Sequence, residues 1–210
     1  MKKRLMSILL AATMLLTLLP GAALAADETN ITSTGLDFSA SVPNETTGYT
    51  TNGGGAVTWT PTLSDGRVVT GGTLTFTNAT IQVAAGAAAN AYAVRLPNVP
   101  VKVIFNGTNS IAALNDNNAY AFDCQAATEF VLSPGSATTL TAAKRFGSDD
   151  NQTNSAAVGI SAVGHNVTVT GGGALNVAAR GNNEYAINAG DAAVTLDGCA
   201  FSATYGSKVT

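Results

Sequence analysis

Three tyrosines occupy equivalent places in a sequence that repeats itself imperfectly. Tyr92, Tyr120 and Tyr185 each stand two residues before an apolar residue of the repeat. If their rings faced solvent they would form an aromatic strip for sugar rings, and if they faced inward they would form a ladder in the core. Because residues i and i+2 of a strand share a face, the apolar neighbours favour the inward orientation. We group Arg180 with these tyrosines as candidates for carbohydrate binding.

A short acidic segment offers hard oxygen ligands. Residues 148–154 read SDDNQTN and contain Asp149, Asp150, Asn151 and Asn154. Calcium tolerates irregular sites built from such oxygens, so Ca²⁺ is the one cofactor that the sequence suggests. The spacing is not that of a known calcium loop, and a solvated loop is the alternative interpretation.

The other ionisable residues do not form a recognisable catalytic set. Lyase chemistry on a uronate needs a base beside a calcium site built from several carboxylates, and a glycosidase needs two positioned carboxylates. Glu129 and Glu184 are the only glutamates in the four clear repeats, and His165 stands alone between Gly164 and Asn166. We predict that the protein is not an enzyme, with lyase activity as the remaining catalytic alternative.

The repeat is defined by one apolar residue in each unit. Val94, Phe122, Ile160 and Ile187 are separated by 28, 38 and 27 residues. The long interval contains a polar insertion at 144–156, and without it the period is near 27, which is typical of solenoid units. Each apolar residue is followed after 11 or 13 residues by a glycine, namely Gly107, Gly135, Gly171 and Gly198.

Within each unit, the alternation of residues indicates β-strands. Val101, Val103 and Phe105 alternate with Lys102 and Ile104, which is the period of two expected when one row faces a core and the other faces out. An antiparallel sandwich does not require similarity at a fixed period, whereas a parallel β-helix does, because equivalent side chains stack in columns. We therefore favour the β-helix.

The first residues have the pattern of an export signal. Lys2, Lys3 and Arg4 precede an apolar run at 5–19, and small residues end at Ala25 and Ala26, between which we predict cleavage. The apolar run is short for a membrane span, which takes roughly 20 residues. We predict a signal peptide at 1–25, no membrane span after its removal, and secretion or attachment to a bacterial cell surface.

The remaining chain is acidic and sparsely charged. The protein has 10 basic and 13 acidic residues, and three basic residues lie in the signal segment. An excess of negative charge without a basic cluster argues against nucleic acid as a partner. Cys124 and Cys199 occupy different positions of the repeat, so two buried thiols are favoured over a disulfide.

The motifs also resemble a known family. VKVIFNGTNSI at 101–111, GGGALNV at 171–177 and WTPTLSDGRVVTGGTLTFTNATI at 59–81 are similar to the β-helical carbohydrate-binding domains of exported bacterial surface proteins. Those domains resemble pectate lyases in fold and bind plant-type polysaccharides, some with calcium, without an established cutting activity. The resemblance covers about 56–210 and implies architecture more specifically than ligand.

We therefore expect an all-β chain that forms a right-handed parallel β-helix of about five coils. Residues 26–55 are expected to form an N-terminal cap or a linker, and 56–210 the β-helix. The expected function is non-catalytic binding of a plant-type or cell-wall polysaccharide. The alternatives are an adhesin or wall-associated spacer without sugar specificity, and a pectate-lyase-like enzyme. Since 199–210 keeps the strand rhythm, we expect end-to-end self-association or further domains beyond Thr210.

Overall fold

The computed structural model describes residues 29–65, 67–85, 90–144, 155–204 and 209. These residues form β-strands joined by short turns, and their one helical element is a 3₁₀ turn, Asn52–Gly54. The all-β prediction is confirmed.

The first six strands precede the clear repeats. They are β1 (Thr29–Asn30), β2 (Leu36–Asp37), β3 (Thr47–Thr51), β4 (Gly55–Leu63), β5 (Val69–Thr77) and β6 (Thr80–Ala84).

Twelve strands follow in the repeats, three to each unit. They are β7 (Ala91–Arg95), β8 (Val101–Asn106), β9 (Thr108–Asn115), β10 (Ala119–Asp123), β11 (Thr128–Leu132), β12 (Ala137–Lys144), β13 (Ala156–Ser161), β14 (Val167–Gly171), β15 (Ala174–Arg180), β16 (Asn183–Asn188), β17 (Val194–Asp197) and β18 (Ala200–Thr204).

The strands are distributed over three sheets. Sheet A has the spatial order β1-β3-β4-β5-β8-β11-β14-β17, sheet B the order β16-β13-β10-β7-β2, and sheet C the order β18-β15-β12-β9-β6. From β7 onward the chain visits sheets B, A and C in that order four times, and from β8 onward each strand pairs in parallel with the strand three places earlier. We call each set of three such strands, one from each of the sheets B, A and C, a tier. This cyclic arrangement of parallel strands is compatible with a solenoid.

The predicted columns are present in the register. Val94 pairs with Phe122, Phe122 with Ile160, and Ile160 with Ile187, and all four side chains are buried. The 38-residue interval between Phe122 and Ile160 leaves this register intact. The polar insertion therefore lengthens a connection without shifting the strands that it joins.

Buried residues of the three sheets meet in one hydrophobic core. Phe122 of sheet B packs edge-on against Phe130 of sheet A, with ring centroids 5.3 Å apart, and Leu140 and Ile111 of sheet C belong to the same cluster. In β8, Val101, Val103 and Phe105 are buried and the two residues between them are not, as the alternation predicts. Burial of these apolar rows is the main source of stability for such a fold.

The four repeated glycines serve one kind of turn, from sheet A to sheet C. Gly107, Gly135, Gly171 and Gly198 have φ values of 67°, 76°, 105° and 69°. A residue with a Cβ atom rarely adopts this left-handed region, which explains why the repeat returns to glycine at this point.

The strands before the repeats extend the same sheets. Strands β2, β5 and β6 pair in parallel with β7, β8 and β9 and form the first of five tiers, so each sheet contains five parallel strands. Strand β4 runs antiparallel to β5, and its Trp59 ring is buried where a Cβ atom on Gly72 would overlap it. The assignment of 26–55 as a separate cap stays a prediction.

At the other end of the described strands, the inward row is less covered. Leu196 of β17 is 43% exposed, whereas its register partner Val169 in β14 is fully buried. Phe201 of β18 is half-buried and packs against the core. Val209 is 40% exposed and forms a parallel bridge to Ile187.

Candidate functional site

The tyrosine row lies on the outer side of sheet B. Tyr92 pairs with Tyr120, and Val158 lies between Tyr120 and Tyr185 in the same row. The three tyrosines are half-buried, whereas the alanine that follows each of them is fully buried, so the predicted inward orientation is wrong. The reason is local: Ala93 and Val94 are both fully buried, which shifts the alternation by one residue between the tyrosine and the apolar residue that follows.

The tyrosine rings turn their faces toward one another. The Tyr92 and Tyr120 centroids are 5.1 Å apart at an interplanar angle of 12°, and the Arg95 guanidinium carbon lies 4.8 Å from the Tyr92 centroid. The Tyr92 and Tyr120 rings cover each other's faces, and Arg95 contacts the Tyr92 ring as well. This pair therefore presents ring edges and hydroxyl groups to a ligand more than open ring faces. Burial, with smaller contributions from the charges of Tyr92 and Asp123, raises the pKa of Tyr120.

Polar side chains surround this pair. The Arg95 Nε donates to Asp123 Oδ2 at 3.0 Å, and the Gln125 amide donates to the same oxygen at 2.8 Å. Burial raises the pKa of the Asp123 carboxyl, and this effect outweighs the opposing influence of the Arg95 charge. Asn90 donates to the Tyr92 hydroxyl at 2.9 Å. The result is a tied network of hydrogen bonds beside the stacked rings.

The other candidates of the sequence are more distant or lie outside the described residues. Arg180 is exposed at the end of β15 in sheet C, so it belongs to a different sheet from the tyrosine row. The carbohydrate-binding role of Tyr92, Tyr120, Tyr185 and Arg180 stays a prediction.

The predicted calcium ligands Asp149, Asp150, Asn151 and Asn154 lie outside the described residues, as do Ala25 and Ala26 of the predicted cleavage site. Among the residues that are described, no group of three or more His, Cys, Asp or Glu side chains could hold a metal ion.

A second surface, which the sequence did not reveal, lies on the outer face of sheet A. It is a groove of about 330 Å³ at the start of strands β8, β11 and β14 and beside Gly72 of β5. The outward side chains Lys102, Glu129 and Thr168 are register neighbours and line one side, and the turn residues Pro100 and Asn166 also line it.

One ion pair crosses between the tiers in this groove. The Lys102 ammonium lies 3.1 Å from a Glu129 carboxylate oxygen, and the two side chains are 45% and 43% exposed. The sequence contains a signal for this pair. Lys102 and Glu129 carry opposite charges and occupy outward positions 27 residues apart, which is one repeat period.

The cysteines are free, as predicted, and differ in environment. Cys124 is buried, and burial raises the pKa of its thiol to about 12. Cys199 is partly exposed, which corrects the expectation that both are buried. His165 lies in a turn, where its backbone N–H donates to Ala162, as expected for a turn residue.

Comparison with protein-family models, curated proteins and solved structures finds no match for this chain. In the described part of the chain, no helix has the length and apolar character to cross a membrane.

Proposed function

We propose that the chain is a right-handed parallel β-helix of five coils that binds polysaccharide without cutting it. The cyclic order of sheets B, A and C supports the β-helix, and the handedness follows the strong preference of parallel crossovers for the right hand. The proposal places the protein outside the cell, in keeping with the signal pattern of residues 1–25.

The observation that carries the proposed function is the register of outward side chains. Parallel strands lie about 4.8 Å apart, so each outward row presents polar or aromatic groups at regular steps along one axis. Lys102, Glu129 and Thr168 form such a row on sheet A, and Tyr92 and Tyr120 begin another on sheet B. A row of this kind matches a ligand that is itself extended and periodic, which is the property of a polysaccharide.

The chemistry of the described ionisable groups supports binding over catalysis. Asp123, the carboxyl group with a raised pKa, is engaged by Arg95 and Gln125, and Glu129 is paired with Lys102. A general acid or base must reach a proton of the substrate. A carboxylate that is held by a neighbouring side chain is better suited to hydrogen bonding a ligand than to transferring a proton.

A glycan array tests the proposal. The protein should retain at least one class of plant-type or cell-wall polysaccharide, and matched lanes with Ca²⁺ and with EGTA show whether calcium contributes. Incubation with polygalacturonate should yield no ultraviolet absorbance from an unsaturated product, because no cutting is proposed. Absence of binding to every polysaccharide would overturn the proposed function.

The second candidate is an adhesin or structural spacer without sugar specificity. It is favoured by sheet C, whose outward row contains Ser110, Thr139 and Asn176, all small or uncharged and exposed. A row of small, uncharged side chains of this kind suits stacking against a neighbouring surface. Empty glycan arrays combined with retention on whole cell-wall preparations would favour this candidate.

A further inference from the structure

The groove on sheet A has the dimensions of a site for an extended chain. Its lining comes from four neighbouring strands, β5, β8, β11 and β14, so it runs across the strands for roughly 14 Å, three inter-strand spacings. Its floor includes Val101 and Thr128, the first residues of β8 and β11, whose register is fixed by parallel pairing. A chain lying in this groove would follow the axis along which the tiers stack.

The charges of the groove cancel. The ionisable side chains among its lining residues are Lys102 and Glu129, and they are paired at 3.1 Å. A polyanion such as a uronate chain gains from several unpaired cations, whereas here the one ammonium group is already neutralised and one carboxylate would repel the ligand. The groove is therefore matched to a chain without net charge.

Both partners of the ion pair retain hydrogen-bonding capacity. An ammonium group has three donors and a carboxylate has about four acceptor sites, and one contact between them leaves most of these unused. Both side chains are more than two-fifths exposed, so solvent or a ligand reaches them. Sugar hydroxyl groups donate and accept, and can therefore bind both partners without breaking the pair.

The turn residues Asn166 and Pro100 add a hydrogen-bond donor and an uncharged surface to the groove. The Asn166 side-chain oxygen accepts from the backbone N–H of Ala193 at 3.0 Å, so its amino group is the part that could donate to a ligand. The Pro100 carbonyl accepts from Gly72, which ties the wall of the groove to its floor. These contacts hold the groove in shape before a ligand arrives, and a preformed site loses less free energy on binding.

An extended peptide is a poorer occupant. Peptides that lie along sheets usually add as a strand to a free edge, where backbone groups are unpaired. Strands β8 and β11 are each paired on both sides, so their backbone groups are already used by neighbouring strands. A ligand in this groove must be recognised through its side groups, and hydroxyl groups fit the side chains present.

We propose that this groove binds a neutral, extended glycan, with Lys102 and Glu129 as the residues that hydrogen-bond its hydroxyl groups. The proposal rests on the proposed function and adds to it a location and a preference for uncharged chains. The Lys102–Glu129 pair sets this preference, because removal of either partner leaves a net charge in the groove.

The experiment compares the wild-type protein with Lys102→Met, Glu129→Gln and the control Asp191→Asn. Asp191→Asn replaces a carboxylate by an amide, so it changes the net charge as much as Glu129→Gln does. Asp191 is exposed and absent from the groove lining, so this control leaves the groove unchanged. Binding is measured by affinity electrophoresis in gels with hydroxyethyl cellulose, glucomannan or polygalacturonate. Thermal unfolding of each variant establishes that it is folded.

The wild-type protein should bind a neutral polymer more tightly than polygalacturonate. Lys102→Met and Glu129→Gln should each weaken neutral binding at least about tenfold, the effect of losing a hydrogen bond to a charged group. Glu129→Gln should also strengthen binding to polygalacturonate because it frees the ammonium group, and Asp191→Asn should leave both affinities unchanged.

Two contrary results have different meanings. If the wild-type protein binds glycans and both groove variants bind them equally well, the site is elsewhere and this inference is wrong while the proposed function stands. If the wild-type protein binds none of the polymers of this panel or of the glycan array, the proposed function fails, and the inference fails with it.

Discussion

Tyr92 stacks on Tyr120 across neighbouring strands of sheet B, with ring centroids 5.1 Å apart and an angle of 12° between the rings. The contact joins two tiers through their outer face, while the buried residues join them through the core. Aromatic pairs of this geometry contribute about 0.5–1.5 kcal/mol beyond the area that they bury.

We expect Tyr120→Leu to lower the free energy of unfolding by about 0.5–1.5 kcal/mol, because leucine keeps apolar volume but loses the ring pair. Urea denaturation measures this change. Thr139→Ala, on the exposed row of sheet C, serves as the control and should change stability by less than about 0.5 kcal/mol. An additive double mutant of Tyr92→Leu and Tyr120→Leu would show that the rings are not coupled.

The inward and outward rows predict a large contrast between two substitutions in the fifth tier. Ile187 is fully buried against the preceding strand, so Ile187→Asp would bury an unpaired carboxylate and should cost more than about 3 kcal/mol. Thr195 is exposed, so Thr195→Asp should cost less than about 1 kcal/mol. Urea denaturation compares the two, and equal costs would contradict the assignment of the rows.

Asp123 should make stability depend on pH in an unusual direction. Burial raises its pKa above the ordinary value of 3.8, despite the Arg95 contact, so the folded protein holds this proton more tightly than the unfolded chain does. The contribution of Asp123 to the free energy of unfolding is fully present below the pKa that this carboxyl has in the unfolded chain. It is lost as the pH rises through the pKa of the folded protein. Urea denaturation from below pH 3.8 to neutrality should show this loss.

Asp123→Asn should abolish that contribution. The stability of the wild-type protein relative to the variant should fall as the pH rises above 3.8, and at neutral pH the two should differ by about 1 kcal/mol or less, because asparagine still accepts from Arg95. Asp191→Asn, at an exposed turn, is the matched control. A wild-type protein that gains stability over Asp123→Asn across this range would show that the Arg95 charge outweighs burial.

The two thiols should differ in reactivity. The thiolate is the reactive form, and burial raises the pKa of Cys124 to about 12, so it should resist alkylation until the protein unfolds. Cys199 is partly exposed and should react first. Mass spectrometry after timed iodoacetamide treatment measures both rates. Equal labelling of the native protein, or a disulfide between the two residues, would contradict the described environments.

The repeat in the sequence was sufficient to predict the register of the sheets. Val94, Phe122, Ile160 and Ile187 were aligned from their spacing, and they pair in that order because equivalent positions of stacked units must share a column. The polar insertion did not disturb this prediction, because alternation stops at its start and resumes after it. The antiparallel strand β4 was not predicted, because residues 55–63 have no counterpart in the repeats.

The surface features were harder to predict. The outward direction of Tyr92 depends on two consecutive buried residues, Ala93 and Val94, and a strict alternation cannot detect such a shift. The groove on sheet A combines residues from several tiers, each of an ordinary surface type. Only the opposite charges of Lys102 and Glu129, 27 residues apart, mark it in the sequence.

The most direct test of polysaccharide binding along the stacking axis is the dependence of affinity on ligand length. Isothermal titration with neutral oligosaccharides of increasing length measures this dependence. The affinity should rise with each added sugar until the chain fills the groove, which extends roughly 14 Å across four strands, and should then level off. Lys102→Met should lower the affinity that the longest oligosaccharides reach. A monosaccharide that binds as tightly as the longest oligosaccharide would contradict the account, since a single ring cannot engage a row that extends over several tiers.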